Sequence, residues 1–379
     1  SLNLLLADRN TIAMQTVGAA PVRHGFHETQ GQLPSAGWKY RNRWQGEFPY
    51  ELLPRNHNPY EGFILNTNNR LPAGRFPEHL SHIWGDTLRH KRLRAILENN
   101  PVQSVDSTIS AQTDSISQAA RTVVPIIARD LWSTITDITD DPVIRRRSEA
   151  LRRLKAWVGS MDEYSAEPLI YTAWLDALMA LIITDELGEL GQEFRRPNIE
   201  FIQRVFLDVD DAWIWCDIIQ TAEIEDCENI AALALDRALT QLVAIHGADM
   251  DAWRWGNVHQ AAHRHTTLGN SPVFTWFFDI HHPVSGGDHT LNRTAIDWDT
   301  DTPYHSSDGP GYRGVYDMAN PDNSRFIIAT GQSGHFLSRH YNDLGRLWRI
   351  GEYIPMSLDL DTARRSAIGT TFLEPSLGN

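Results

Sequence analysis

The 379-residue sequence predicts an α+β fold: a long helical block flanked by two β-rich ends. Residues 107–250 show an almost unbroken helical periodicity of apolar positions. The stretches on either side are short apolar runs punctuated by glycine, proline, tryptophan and histidine, the texture of strands between loops. The two ends can belong to one sheet system with the helices inserted as an excursion. The expected parts are therefore 1–90, 91–250 and 251–379.

The first element is a hairpin. Leu2–Ala7 is apolar, Asp8-Arg9-Asn10 is a polar turn, and 11–17 is a second apolar run. The next forty residues read as loops and short strands, and Phe63-Ile64-Leu65 as one strand among them. A helix follows over 86–100, with Leu88, Leu93, Ile96 and Leu97 on one face. Within the block, 144–158 has a basic outer face, 166–184 has a continuous apolar face, and 229–246 forms a further helix. Arg145, Arg146, Arg147, Arg152 and Arg153 read as the solvated face of one helix in acidic surroundings. Near the end, 325–329 reads as a strand. The stretch 331–343 has two glycines, two serines, two histidines and an acid. It is too polar for a core and should be pinned by local hydrogen bonds.

Composition narrows the function. With 34 Lys+Arg against 48 Asp+Glu the chain carries a net charge of −14, spread along its length. Nucleic acid or an anionic membrane surface would favour a basic face, so neither is expected as a partner. No apolar run is read as approaching the ~20 residues a membrane helix needs. Thirteen tryptophans imply a well-packed interior or aromatic-lined pockets. The opening residues lack the basic lead and small-residue cleavage site of a signal peptide. They read as a strand already under way, so the chain is expected to be a piece whose beginning is missing. Cys216 and Cys227 are either two unrelated thiols or a disulfide closing an acid-rich loop, and a disulfide implies an oxidising compartment.

Three groups invite chemistry. His259, His263 and His265 suggest a metal hydrolase, since i, i+4 histidines on a helix share a face. No glutamate follows His259 to act as base, however, and the neighbouring glycines favour a loop. Gly286-Gly287-Asp288 and Asp308-Gly309-Pro310-Gly311 lack the strand–loop–helix order and the lysine of phosphate loops, and read as tight turns. No Gly-x-Ser-x-Gly elbow is present. The third group is Asn66, Asn68 and Asn69, delivered at the end of the 63–65 run. A carboxamide neither gives nor takes a proton near neutral pH, but it donates N–H bonds to an oxyanion without carrying charge. The same residues also cap turns.

The order of short motifs resembles the penicillin acylase (penicillin amidase) family of N-terminal-nucleophile hydrolases. The resemblance begins with Asn3 to Asp8 and Gly18, then Trp44-Gln45-Gly46, Leu53-Pro54, Asn58-Pro59 and Asn66-Thr67-Asn68-Asn69. It continues through Trp84-Gly85, Arg89, Arg94 to Leu97, Trp157 and Ala173-Trp174. Trp253, Trp255-Gly256, His259, Gly286 to Asp288, Thr290, Asn292, Gly311 to Arg313, Asp317 and Gly331 to Asp343 complete it. Each motif alone is weak, but their shared order is specific.

The resemblance implies the C-terminal part of a β subunit, a partial αββα sandwich with a large helical insertion. It also implies hydrolysis of N-acyl bonds through an acyl-enzyme, with beta-lactam antibiotics or acyl-homoserine lactones as substrates. Asn68 matches the family's side-chain oxyanion donor and Arg89 the arginine that holds it. Leu2 falls at an acyl-pocket position, and Glu78 matches a carboxylate that binds structural calcium in some relatives. Cysteine pairs in the helical region of such acylases favour a Cys216–Cys227 bridge. The nucleophilic serine is expected upstream rather than at Ser1, together with an α subunit and an N-terminal β segment as partners. The resemblance also implies a zymogen that is periplasmic or secreted, with no cofactor for catalysis.

Overall fold

The computed structural model describes residues 2–70, 80–82, 84–269, 272–298 and 303–375. The chain divides into two units, each drawn from separated stretches. The first comprises 1–105, 315–325 and 355–379, and the second 106–314 with 326–354.

The first unit opens with strands β1 (Leu2–Ala7), β2 (Ile12–Val17), β3 (Pro21–Arg23), β4 (Trp44–Glu47) and β5 (Arg55–His57). β1 and β2 form the expected antiparallel hairpin, Leu2 opposite Val17 and Ala7 opposite Ile12. The Asp8 carboxylate closes its turn by accepting the N–H groups of Asn10 at 2.7 Å and Thr11 at 2.8 Å. β2 pairs on its other side with β5, giving the order β1-β2-β5, while β3 pairs with β4. Alternation decides the faces of β2, where Met14 and Thr16 are buried and their neighbours are not. Arg9 reaches the Ala319 carbonyl, and the Asp322 carboxylate accepts from the Leu358 amide at 2.6 Å. These bonds join the later stretches to the unit.

Phe63-Ile64-Leu65 is not a strand. The run is half-buried without a ladder partner, and the Arg94 guanidinium lies 5.9 Å from the Phe63 ring centre. Three apolar residues are too few to determine pairing, and side-chain packing took them instead. Helix α1 (Leu88–Asn99) follows.

The second unit contains α2 (Val105–Gln112), α3 (Gln118–Ile127), α4 (Pro142–Ala156), α5 (Glu167–Leu187), α6 (Ile199–Phe206) and α7 (Cys227–His246). Several helix starts follow from side-chain caps: Ser117 accepts from the Ala120 amide, Asp141 from Val143 and Asp226 from Asn229. α5 is the central helix. Leu169, Ile170, Trp174, Leu178 and Ile182 are fully buried, and small residues of α7 such as Ala231, Ala234 and Ala238 let the two helices approach. The buried Trp174 indole N–H is satisfied by the Ala231 carbonyl at 2.9 Å.

The helix from Glu167 to Phe194 corrects the reading that no apolar run is long enough to span a membrane. By length and composition it qualifies, but most of it is enclosed by protein, as expected of a core helix. Three of the five arginines read as a solvated face on α4 are paired with acids, while Arg145 and Arg146 donate to the Thr139 and Pro142 carbonyls. Arg147 meets Asp236 at 3.1 Å, Arg152 meets Asp137 at 2.7 Å and Arg153 meets Glu149 at 2.7 Å.

β6 (Gln260–His263), β7 (Ile280–Pro283), β8 (Ala295–Ile296) and β9 (Ser306–Asp308) form a sheet in the order β7-β6-β9-β8, with β6 and β9 parallel. β10 (Tyr312–Val315), β11 (Arg325–Ile328) and β12 (Ile354–Pro355) make a further sheet. A small core of Ala261, Val284, Ile327, Ala329 and Trp348 sits beside these strands. Arg313 is buried over the Trp348 ring and donates to the Trp348 carbonyl and to Asn292, each at 2.7 Å. The 331–343 stretch is pinned as expected. Ser333 N–H donates to the His340 carbonyl, Ser333 and Ser338 hydroxyls accept nearby amides, and His340 Nδ1 meets Asp343 at 2.7 Å.

Candidate active site

The 66–70 loop is built by its own asparagines. The Asn66 side-chain oxygen accepts the Asn68 amide at 3.1 Å. The Asn69 side-chain oxygen accepts both the amide and the hydroxyl of Thr67, at 3.2 and 3.0 Å, and its nitrogen donates to the Arg70 carbonyl. Asn69 is buried and bridges to Gly85, where a Cβ would lie 3.3 Å from the Asn68 carbonyl. Asn66 and Asn69 therefore spend their side chains holding the turn.

Asn68 differs from both. Its backbone is left-handed, φ +60°, a region asparagine tolerates better than most residues. Its side chain is exposed, and its carboxamide has no hydrogen-bond partner among the described residues. Beside it, Arg89 in the first turn of α1 donates from Nη2 to the Thr67 carbonyl at 2.7 Å. That carbonyl belongs to the peptide linking Thr67 to Asn68. The guanidinium thus fixes the plane from which Asn68 projects and leaves its carboxamide uncommitted. Asp86 sets the start of the helix carrying Arg89 by accepting the Leu88 amide at 2.8 Å. All of these residues lie in the first unit.

Thr67 and Gly85 stand in the sequence only as motif residues without a role, and Asp86 is not singled out there. The Asp86 signal was available, an acid two residues before an apolar-periodic run, whereas the Thr67 contribution is a backbone carbonyl that no side-chain pattern announces.

Leu2 is 76% exposed at the end of β1. Glu78 and Ser1 lie outside the described residues. Cys216 and Cys227 are joined as a disulfide with Cα atoms 5.1 Å apart, in the helical unit. The histidine group does not converge. His259 is fully buried and stacked on Trp255, with Nδ1 2.7 Å from the Tyr304 carbonyl and Nε2 2.8 Å from the Thr294 hydroxyl. Both ring nitrogens are therefore committed within the protein, and burial lowers its pKa to about 4. His263 ends a strand rather than sharing a helix face with His259. Among the described residues, no three His, Cys, Asp or Glu side chains are grouped as metal ligands.

The penicillin amidase family profile matches residues 1–365. The chain belongs to the penicillin amidase family. Among its family relatives, the acyl-homoserine lactone acylase QuiP of Pseudomonas syringae pv. syringae is 29% identical over 367 residues, 93% of this chain and 43% of that protein. A penicillin acylase 2 proenzyme from a Pseudomonas species is 25% identical, covering 91% of this chain and 43% of its own length. This penicillin amidase chain therefore spans less than half of these relatives. The thermostable penicillin G acylase of Alcaligenes faecalis superposes with a TM-score of 0.58 at 18% identity, over 99% of this chain and 67% of that one. The α+β fold is thus shared with that penicillin G acylase.

Proposed function

We propose that the complete protein hydrolyses N-acyl amide bonds of small molecules, with acyl-homoserine lactones or beta-lactam antibiotics as the substrate class. Family membership and the names of the relatives support the reaction type. The observation that carries the site is the uncommitted Asn68 carboxamide beside a peptide clamped by Arg89.

In this reading a serine hydroxyl from polypeptide outside these residues attacks the acyl carbon. The carbonyl oxygen becomes an oxyanion, and the Asn68 N–H donates to it. Collapse breaks the C–N bond, the amine leaves with a proton, and water then cleaves the acyl ester. Arg89 acts through the backbone, as a positioning residue. A second subunit, proteolytic maturation of a zymogen and a periplasmic or secreted location belong to the same proposal, and the Cys216–Cys227 disulfide supports an oxidising compartment.

Asn68→Ala in the complete enzyme should lower kcat by roughly 10²–10³-fold, the usual effect of removing one oxyanion donor. Asn68→Gly relieves the left-handed backbone and should lose as much turnover with no loss of melting temperature. Near-normal kcat in both excludes the role. A serine-directed acylating reagent should mark a hydroxyl outside these 379 residues. Its appearance on Ser1 would overturn the assignment of the nucleophile.

A further inference from the structure

α3, the turn Leu131–Thr134 and the C-terminal end of α4 enclose a groove of about 410 Å3 in the second unit. Its volume falls within the range of small-ligand pockets, roughly 300–1,000 Å3. The walls are apolar: Val124 and Pro125 of α3, Leu154 of α4, Trp132 and Trp157. Trp157 is held in place, its indole N–H donating to the Ser160 carbonyl at 2.9 Å and its ring packed at 5.5 Å on the buried Tyr171.

The groove also carries two cations. Lys155 Nζ lies 5.8 Å from the Trp132 ring centre. Arg121 is held by its Nε–H, which donates to the Val158 carbonyl at 2.8 Å. Its stem crosses Gly159, at φ +81°, where a Cβ would meet Arg121 Cγ at 3.1 Å and the Ser117 carbonyl at 3.2 Å. The glycine therefore gives the arginine room to lie there.

Among the described residues, neither cation forms an ion pair. The chain's net charge is −14, and Arg147, Arg152 and Arg153 of α4, the helix that carries Lys155, all pair with acids. Unpaired cations beside aromatic and aliphatic walls are complementary to a molecule with an apolar tail and a negative head.

We propose that this groove binds a small amphipathic carboxylate, a medium-chain fatty acid or an arylalkanoate. The tail lies against the tryptophans and the carboxylate pairs with Lys155 and Arg121. Carboxylic acids are also what amide hydrolysis releases. Only that link to the enzyme's own product rests on the proposed reaction, and binding can be tested without turnover.

The probe is ω-bromoundecanoate, whose bromine quenches tryptophan fluorescence at contact, titrated into the intact protein. Saturable quenching is expected, and Trp132→Phe combined with Trp157→Phe should abolish that component. Arg121→Glu with Lys155→Glu should raise the half-quenching concentration about tenfold or more. Lys155→Gln gives a milder shift in the same direction if the reversed pair fails to fold. Absence of saturable quenching, its survival in the tryptophan variant, or equal affinity for ω-bromoundecanol would each overturn the proposal. Turnover measured in the same samples reports separately on the reaction.

Discussion

Asn68 and His259 show how similar polar residues take opposite roles according to what surrounds them. Asn68 keeps its carboxamide free because Asn66 and Asn69 close the loop and Arg89 takes the adjacent carbonyl. His259 has both ring nitrogens consumed and is fully buried, so its charged form is disfavoured. The folded pKa, about 4, lies below the ordinary value of 6.5. The unfolded chain therefore binds the extra proton first as pH falls. The contribution of His259 to stability is fully present above about pH 6.5 and is lost as pH falls towards about 4. The slope from this one group is at most about 1.4 kcal/mol per pH unit. Denaturant unfolding across that window should show a shallower pH dependence in His259→Gln than in the wild type. Identical slopes in both proteins would remove His259 as the titrating group. Histidines near 259 were visible in the sequence, but the geometry that makes His259 a packing residue depends on Thr294 and Tyr304, distant in the chain.

Among the elements, the long helices were the most legible. The apolar face over 166–184 became α5 (Glu167–Leu187), and 144–158 and 229–246 became α4 and α7 with ends shifted by two residues or fewer. Periodicity sustained over many turns constrains an element strongly, and caps such as Asp141 and Asp226 set its start. Short apolar runs carry less, which is why residues 63–65 were misread as a strand. The disulfide belongs to this scale as well, because it ties the turn Ala212–Cys216 to the first residue of α7. Closing a loop of 11 residues should contribute roughly 3 kcal/mol by restricting the unfolded chain. Cys216→Ser with Cys227→Ser should lower unfolding stability by about that amount. Reducing agent should have no further effect on the double variant. Equal stability of the reduced and oxidised wild type would show that the bridge contributes nothing.

Across the whole molecule, each unit is completed by chain that returns late. In the second unit, Arg349 meets Glu163 at 2.6 Å and Tyr353 donates to Gln112 at 2.7 Å, joining segments far apart in sequence. In the first, Asp322 binds the stretch around Leu358. The proposed chemistry routes no step through a metal: both ring nitrogens of His259 are committed within the protein, and Asn68 supplies a neutral donor. Exhaustive chelation of the complete enzyme should therefore leave kcat within about twofold of untreated protein. A structural calcium held near Glu78 would appear as a lower melting temperature in the same samples. Loss of turnover without thermal destabilisation would revive metal-assisted hydrolysis.

The sequence alone determined the α+β class, the central helices, the first hairpin and the family, because local periodicity and ordered short motifs are written along one chain. It also singled out Asn68 and Arg89 as a pair worth testing, through resemblance. Only the tertiary structure decided which of three neighbouring asparagines keeps a free carboxamide, that Arg89 grips a backbone carbonyl, and that His259 is structural. Those outcomes depend on which donors meet which acceptors in space. Sequence spacing does not specify such long-range pairings until the chain has folded.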